Sequence, residues 1–196
     1  MLKMGFNEGC TWDGNRGCAD QSLMADLKAC VKYGIKGIDI RFDCLNKYLE
    51  EGGTLEELNA FMKENDIVPL SYNALCFFNM KQTEEEKAAV MAELDEIIRR
   101  CNILGCKMIV VVPSQDMKER GLQPTRKEIR EDAVAVLKEM VKKVEPYGIK
   151  LSLEFCGAPD LTINRFEHAY AIVQEVDSQP VGVTLDQYHV YALGSG

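Results

Sequence analysis

A junction between a helix and a strand recurs three times in this chain, and it restricts the chain to a fold of alternating helices and strands. Each copy has a helix end, then a glycine, then an apolar strand, as in YGIKGIDI at 33–40, LGCKMIVVV at 104–112 and YGIKLSLEF at 147–155. Glycine directly after a helix adopts the left-handed conformation that ends it. Strict strand–helix alternation predicts right-handed crossovers and a parallel sheet.

The helix starts and helix faces repeat as well. A Thr-x-x-Glu capping box is predicted at Thr54–Glu57, Thr83–Glu86 and Thr125–Glu128, with a looser version at Asn164–Glu167. Five segments place apolar residues at the 3, 4, 7 spacing of a helix that lies on a sheet. These apolar faces predict a hydrophobic core, and we expect five helices.

Six short apolar segments predict six strands, near 2–7, 36–41, 67–73, 107–112, 149–155 and 181–186. A doubly wound nucleotide-binding sheet is disfavoured, because FNEGCTWDGN after the first strand is not a G-x-G-x-x-G loop. Polar residues follow the strand ends, as they do in a (β/α)₈ barrel. We therefore predict a single domain over 1–196, a TIM barrel reduced to about six βα units and incomplete at its C-terminal end.

Composition excludes several function classes. The chain has 196 residues and a formal net charge of −8, which disfavours binding to a nucleic-acid backbone. No run approaches the apolar length of a membrane span. The eight cysteines are scattered without a Cys-x-x-Cys pair, which is typical of small buried residues in a reducing cytosol. We expect a cytoplasmic protein.

Two acidic residues stand where apolar strands end. Glu154 follows KLSL, and Asp186 follows VGVTL with His189 three positions later. A carboxylate is costly to bury alone, so one interpretation is a divalent cation held by oxygen and nitrogen ligands. The alternative is that strand ends are solvated and that acidic residues are ordinary there.

Three long motifs stand in the C-terminal part of the chain: LEFCGAP at 153–159, TINRFEHAYAIV at 162–173 and VGVTLDQYHVYALGS at 181–195. Shorter ones precede them, namely FNE at 6–8, IDIR at 38–41, NALCFFN at 73–79 and VVVP at 110–113. Together these motifs resemble the xylose-isomerase-like sugar isomerase/epimerase barrels, and within that family the inosose (2-keto-myo-inositol) isomerases. The resemblance covers essentially the whole chain, and the three long motifs are its most specific part.

The resemblance implies a metal-dependent isomerase or epimerase that acts on a sugar or a cyclic polyol ketone, as in inositol catabolism. It implies Glu154 and Asp186 as metal ligands, Glu154 as the catalytic base, and His189 as a substrate-binding residue. The cofactor implied is a divalent ion, and Mn, Zn, Co and Mg suit such ligands. In the family a His from strand seven and a Glu from strand eight complete the metal site, and this chain has neither.

Other polar residues near strand ends are weaker candidates. Arg41 either holds a substrate oxygen or pairs with a nearby acid, and Asn73 either donates to a substrate hydroxyl or serves a turn. Glu8 either has a structural role, which is the favoured interpretation, or contacts the ligand. Loop aromatics at Trp12 and Phe77 either face a sugar ring or pack the loops. We expect His168, on the side of its helix away from the apolar face, to be a surface residue.

Two alternatives to the isomerase stay open. One is a phosphodiester-cleaving enzyme similar to endonuclease IV, although the acidic charge and only two histidines argue against it. The other is an inactive barrel that binds a ligand without turning it over. Because unpaired strand edges promote association, self-association is also possible.

Overall fold

The fold was analysed in a computed structural model of the chain, which describes residues 5–11, 22–115 and 117–192. The part of the chain that is described forms six strands in one sheet, in the order β1-β2-β3-β4-β5-β6. The strands are β1 (Phe6–Asn7), β2 (Gly37–Arg41), β3 (Val68–Cys76), β4 (Met108–Val112), β5 (Lys150–Glu154) and β6 (Val181–Thr184). The prediction of six strands in one sheet is confirmed. Residues 2–4 of the first predicted strand lie outside the described residues.

Seven α-helices occur within the described ranges, six of them between strands and the seventh after β6. They are α1 (Leu23–Tyr33), α2 (Phe42–Glu50), α3 (Leu55–Glu64), α4 (Glu84–Leu104), α5 (Arg126–Val144), α6 (Phe166–Val176) and α7 (Gln187–Ala192). The prediction of five helices was therefore too low. The two additional ones, α2 and α7, are short helices that begin one and three residues after β2 and β6, where only polar loop residues had been expected. No described helix has the length and apolarity of a membrane span.

Local sequence signals explain where the helices start and stop. Thr54 and Thr125 each form the complete capping box with the glutamate three residues later, and Thr83 exchanges the same two bonds with Glu86. Gly34 ends α1 with a φ of 68°, a conformation that residues with a Cβ rarely adopt.

The fourth predicted cap is wrong. Helix α6 starts after Arg165, which provides no side-chain cap. The Asn164 side chain is used elsewhere, because it donates to the Ala158 carbonyl and accepts from Arg126.

The chain divides into two compact units. The first comprises 1–74 with 97–108, and the second comprises 75–96 with 109–196. In the first unit, β1 pairs with β2 and β2 with β3, all parallel, and the β2–β3 register shifts by one residue after Ile38, so that Asp39 lies opposite Ser71. Its core is apolar, with Leu27, Ile38, Ile40, Leu45 and Leu58 all fully buried.

In the second unit, β5 and β6 pair in parallel and in register from Leu151 opposite Val181 to Glu154 opposite Thr184. The core residues are again apolar, among them Leu94, Ile109, Leu137, Leu151 and Leu153. Because a parallel pair in register ends at one edge, the residues after both strands emerge side by side. This register determines the position of the candidate site.

The cysteines follow the composition argument. Five of the six described cysteine side chains are buried, at Cys30, Cys44, Cys101, Cys106 and Cys156, and Cys76 is half-buried. Their burial as small apolar groups is confirmed. The side chains of Cys10 and Cys18 lie outside the described part of the chain.

Candidate metal centre

The candidate centre is built at the carboxyl ends of β5 and β6. Glu154 is the last residue of β5 and lies opposite Thr184, the last residue of β6. Asp186 follows two residues later, and His189 lies on the first turn of α7. The strand register therefore delivers the two carboxylates to one edge, and the short helix adds the imidazole.

The three side chains converge. One ligand atom each from Glu154, Asp186 and His189 can be chosen so that all three lie within 4.8 Å of one another, and each residue is half-buried. Two carboxylate oxygens and one imidazole nitrogen at this spacing form a donor set that suits Mn, Zn, Co or Mg. The chemistry of these donors thus fits a divalent ion.

A local turn fixes the position of the imidazole. The Asp186 carboxylate accepts a hydrogen bond of 2.7 Å from the backbone N–H of Tyr188, and its carbonyl accepts one of 3.0 Å from the N–H of Val190. These two bonds start α7 from Asp186 itself. The same residue therefore supplies a carboxylate to the centre and orients the helix that carries His189.

The environment of His189 favours its neutral, ligating form. Burial lowers the pKa of His189, although the neighbouring Asp186 carboxylate acts in the opposite direction. Its Nδ1 atom is buried and has no hydrogen-bond partner among the described residues. A neutral imidazole with an uncommitted nitrogen can bind a metal or accept a proton.

A nearby thiol does not belong to this donor set. Burial, together with the Glu154 carboxylate, raises the pKa of Cys156 to about 12. Cys156 is not among the three residues whose ligand atoms converge, and without a bound ion its thiol is a protonated neighbour of the centre.

The other predicted site residues belong to the first unit, and the structure pairs them there. Arg41 donates through Nε and Nη2 to Asp43, at 2.9 and 2.7 Å. Asn73 donates to Asp39 at 3.0 Å, and Ser71 donates to the other oxygen of the same carboxylate. For Arg41, the structure therefore shows the pairing with a nearby acid that the sequence left open.

Glu8 is completely buried. It accepts a hydrogen bond of 2.8 Å from the backbone N–H of Arg41. Burial raises the pKa of Glu8 to about 8, against the effect of that hydrogen bond, and the carboxylates of Asp26 and Asp39 raise it further. The structural interpretation of Glu8 agrees with these contacts.

The loop aromatics and His168 complete the set of sequence candidates. Trp12 lies outside the described residues. Phe77 is 40% exposed and has a positive φ of 59°. His168 is half-buried with a fully buried Nδ1, so the expectation of a plain surface residue was wrong. His168 lies beside α5, where it lines a cavity together with Arg126 and Ile129, and the pattern of one helix does not reveal such a neighbour.

Sequence reasoning missed a buried polar network in the second unit. Asn79, Ser114 and Thr162 are all buried, and they join the segments that follow β3, β4 and β5. Asn79 accepts from the Ser114 N–H at 2.7 Å and donates to Thr162 at 3.2 Å, while Thr162 N–H donates to the Ser114 carbonyl at 2.9 Å. Polar residues directly after apolar runs, in FFN and VVVPS, were the available signal.

The chain belongs to the xylose isomerase-like TIM barrel family, whose model matches residues 27–196. It is similar to the inosose isomerase of Bacillus subtilis, with 37% identity over 99% of this chain and 66% of that protein. It is also similar to the inosose isomerase of Bacillus velezensis, with 36% identity over 99% of this chain and 65% of that protein. The chain thus spans slightly less than two thirds of these curated relatives.

A solved structure gives the same result. The crystal structure of the IOLI protein with a binding zinc atom superposes with a TM-score of 0.89 at 36% identity, over 100% of this chain and 66% of that chain. The TIM-barrel fold class predicted from the sequence is therefore confirmed.

Proposed function

We propose that the protein is a metal-dependent isomerase or epimerase that acts on a sugar or a cyclic polyol ketone such as inosose. The observation that carries this proposal is the convergence of Glu154, Asp186 and His189 within 4.8 Å. The names of the relatives, inosose isomerases at 36–37% identity, support the substrate class. A zinc atom in the similar IOLI protein supports the metal.

In this proposal Glu154 and Asp186 hold a divalent ion, one of Mn, Zn, Co or Mg, with His189 beside them. When bound, such an ion supplies Lewis-acid stabilisation of the negative charge that develops on a substrate oxygen. The two carboxylates fit this role, because a cation between them would offset the repulsion of two like charges placed close together.

The chain's own residues provide the proton transfer. Glu154 has a second carboxylate oxygen, which would accept the proton from the hydroxyl-bearing carbon next to the substrate carbonyl and return it to the former carbonyl carbon. The proton of that hydroxyl would move to the former carbonyl oxygen, which leaves the new carbonyl on the adjacent carbon. His189, with its uncommitted Nδ1, contacts a substrate hydroxyl. Arg41 and Asn73 are retained as proposed substrate-binding residues, in addition to their contacts with Asp43 and Asp39.

The proposal includes a small-molecule substrate as the partner and a cytoplasmic location. The buried free thiols of Cys30, Cys44 and Cys101 are in keeping with a reducing compartment. No nucleic-acid or membrane partner is proposed.

The substitution Glu154→Gln tests the function directly. It preserves the size of the side chain but removes a proton-accepting carboxylate, so we expect turnover of inosose, or of a ketose, to fall by about 10²–10⁴-fold. Circular dichroism should show an unchanged fold. Glu56→Gln is the matched control, since Glu56 lies exposed in the first turn of α3, and it should retain the parental rate.

Three outcomes decide between the functions. A near-parental rate for Glu154→Gln would contradict the role of Glu154 as base. A parental protein that binds a divalent ion and inosose but turns over neither inosose nor a ketose would indicate a ligand-binding barrel. Cleavage of abasic-site DNA at low salt would indicate the phosphodiesterase.

A further inference from the structure

A cavity of about 360 Å³ lies between α5 and α6 in the second unit. Its apolar lining comes from Ile129 on α5, Ile163 in the loop before α6, and Ala171 and Ile172 on α6. The polar and charged part of the lining comes from Arg126, Lys127, Arg130, Glu131, Thr162, Glu167 and His168. This volume is within the usual range of small-molecule sites. None of these residues belongs to the candidate metal centre, so the cavity is a separate feature.

The charge of Arg126 is not neutralised by an acid. Its Nη1 donates to the Thr162 carbonyl at 3.0 Å and its Nη2 to the Asn164 side-chain oxygen at 3.3 Å, and both acceptors are neutral. Among the described residues, no carboxylate forms an ion pair with it. Two of the five N–H donors of a guanidinium are thereby used, which leaves a fixed positive charge with donors to spare.

The other two cations at this cavity differ from Arg126. Lys127 pairs with Glu131 at 3.6 Å, and Arg130 pairs with Glu175 at 2.8 Å. All three cations belong to exposed residues, so what distinguishes Lys127 and Arg130 from Arg126 is the carboxylate partner that each of them has. Of the three cations that line the cavity, Arg126 is thus the one that lacks a counter-ion in the described structure.

His168 supplies a second unsatisfied group in the same cavity. Its Nδ1 is buried and has no hydrogen-bond partner among the described residues. Burial lowers the pKa of His168, and the positive charges of Arg126 and Arg165 lower it further, against the opposite effect of Glu167. A buried polar atom without a partner is costly, and an acceptor from a ligand would satisfy an Nδ1–H.

We propose that this cavity binds a small organic carboxylate, with the carboxylate group between Arg126 and the Nδ1 of His168 and the apolar body against Ile129, Ile163 and Ile172. The planar guanidinium matches a carboxylate and carries one charge, which one monoanion balances. The apolar lining favours a ligand with a hydrocarbon body over a bare inorganic anion. The first turns of α5 and α6 border the cavity, and their dipoles also favour an anion.

This site is independent of the proposed isomerase activity, because it shares no residue with the metal centre. It would add a second, non-substrate ligand to the protein. Inosose and ketoses carry no carboxylate, so a competition between the two ligand classes is not expected.

The two histidines of the chain make the test direct. Imidazole signals of His168 and His189 are followed by NMR in chelator-treated protein during titration with sodium benzoate. We expect the His168 signals to move saturably and the pKa of His168 to rise, because the benzoate charge offsets that of Arg126. The His189 signals should stay within a small fraction of that change.

Neutral and inorganic probes define the chemical class. Benzyl alcohol, which has the same ring without the charge, and inorganic phosphate, which has charge without an apolar body, should each bind at least about tenfold more weakly than benzoate. If benzyl alcohol binds as tightly as benzoate, the charge recognition by Arg126 is refuted. If phosphate shifts His168 at the same concentration, the assignment to organic carboxylates is wrong.

Variants then assign the binding to one residue. Arg126→Gln should weaken benzoate binding by about tenfold or more, whereas Lys127→Gln, at the same cavity but paired with Glu131, should change it by less than about threefold. Equal affinity in parent and Arg126→Gln would overturn the proposal. Should Arg126→Gln fail to fold, the His168 titration in the parental protein decides alone, and an unmoved His168 signal refutes the site.

Discussion

Polar residues stand at strand ends in both units, but their surroundings differ. In the first unit, the Asp39 carboxylate receives hydrogen bonds from Ser71 and Asn73, and Arg41 lies in an ion pair with Asp43 at 2.7 Å. In the second unit, Glu154, Asp186 and His189 bring two acids and an imidazole within 4.8 Å. The first set pairs donors with acceptors, and the second brings together three groups that can each offer a ligand atom to a cation.

This difference separates groups that stabilise the fold from groups placed for a ligand. Donor–acceptor pairs satisfy buried polar atoms and so contribute to stability. Clustered acceptors cost free energy unless a cation joins them, and such arrangements concentrate at functional sites. Position at a strand end does not by itself distinguish fold-stabilising groups from groups placed for a ligand. The two are distinguished by the side chains that surround each group.

The largest expected effect is the pH dependence of the unfolding free energy that Glu8 produces, and it tests whether an acid of the first unit stabilises the fold. The pKa of Glu8 is raised to about 8, mainly by burial, above an unfolded value near 4.3. The folded state thus binds a proton that the unfolded state releases. This stabilisation is complete below pH ~4.3 and is lost as the pH rises through about 8.

Glu8→Gln should remove that pH dependence, since the amide does not titrate. On the order of 4 kcal/mol of the change in unfolding free energy between pH 5 and pH 9 should disappear, as measured by urea denaturation across this range. Glu56→Gln, at an exposed position, should keep the parental profile. If the unfolding free energy of Glu8→Gln depends on pH as that of the parent does, Glu8 is not buried in its protonated form.

The next effect concerns the second unit. Asp186→Asn replaces a proposed anionic ligand by a neutral amide, and divalent-ion affinity should fall by about a hundredfold or more, measured by calorimetric titration with Zn²⁺ or Mn²⁺. Asp39→Asn is the matched change in the first unit, and it should leave this affinity unaltered. Equal losses in both variants would erase the distinction between the two sets.

Most of the fold could be predicted from the sequence, because the sequence signals for its helices and strands are local and repeated. Glycine after each helix, threonine caps and apolar strands are all nearest-neighbour effects, which one sequence contains. The buried Nδ1 of His168 and the Asn79 network could not be predicted from the sequence. Each depends on which side chain another element places opposite, and that is a property of packing.

The candidate site was predictable in part, because some of its features are local in the sequence and others depend on packing. Glu154 and Asp186 were marked by their position at the end of an apolar run, a local signal, and the structure brings them together through the in-register pairing of β5 with β6. The convergence of His189 depends on α7, a short helix that the sequence pattern did not predict. The roles of these three residues in binding and catalysis remain predictions.

A smaller effect is expected from breaking the donor–acceptor set. Asp39→Ala removes the acceptor shared by Ser71 and Asn73 and leaves both half-buried donors without it. The free energy of unfolding should fall by about 2 kcal/mol, measured by urea denaturation at pH 7. Thr184→Ala, which removes one short hydroxyl contact with Ser152 in the second unit, should cost about 1 kcal/mol. A cost for Asp39→Ala below that of Thr184→Ala would contradict a stabilising role for Asp39.

The smallest expected effect is the change in unfolding free energy caused by Glu154→Gln, and it is opposite in direction to that of Asp39→Ala. In protein stripped of divalent ions, Glu154 and Asp186 place two carboxylates in one group with His189, and neutralising one of them relieves like-charge repulsion. Glu154→Gln should therefore leave the unfolding free energy of the stripped protein unchanged or raise it by up to about 0.5 kcal/mol. The effect is small because both carboxylates are half-exposed, and solvent screens the repulsion between them. With a divalent ion added, the parent should become more stable than Glu154→Gln, because ion binding stabilises the folded parent and the variant has lost that binding. A clear destabilisation of the stripped Glu154→Gln protein would mean that Glu154, like Asp39, is placed for the fold.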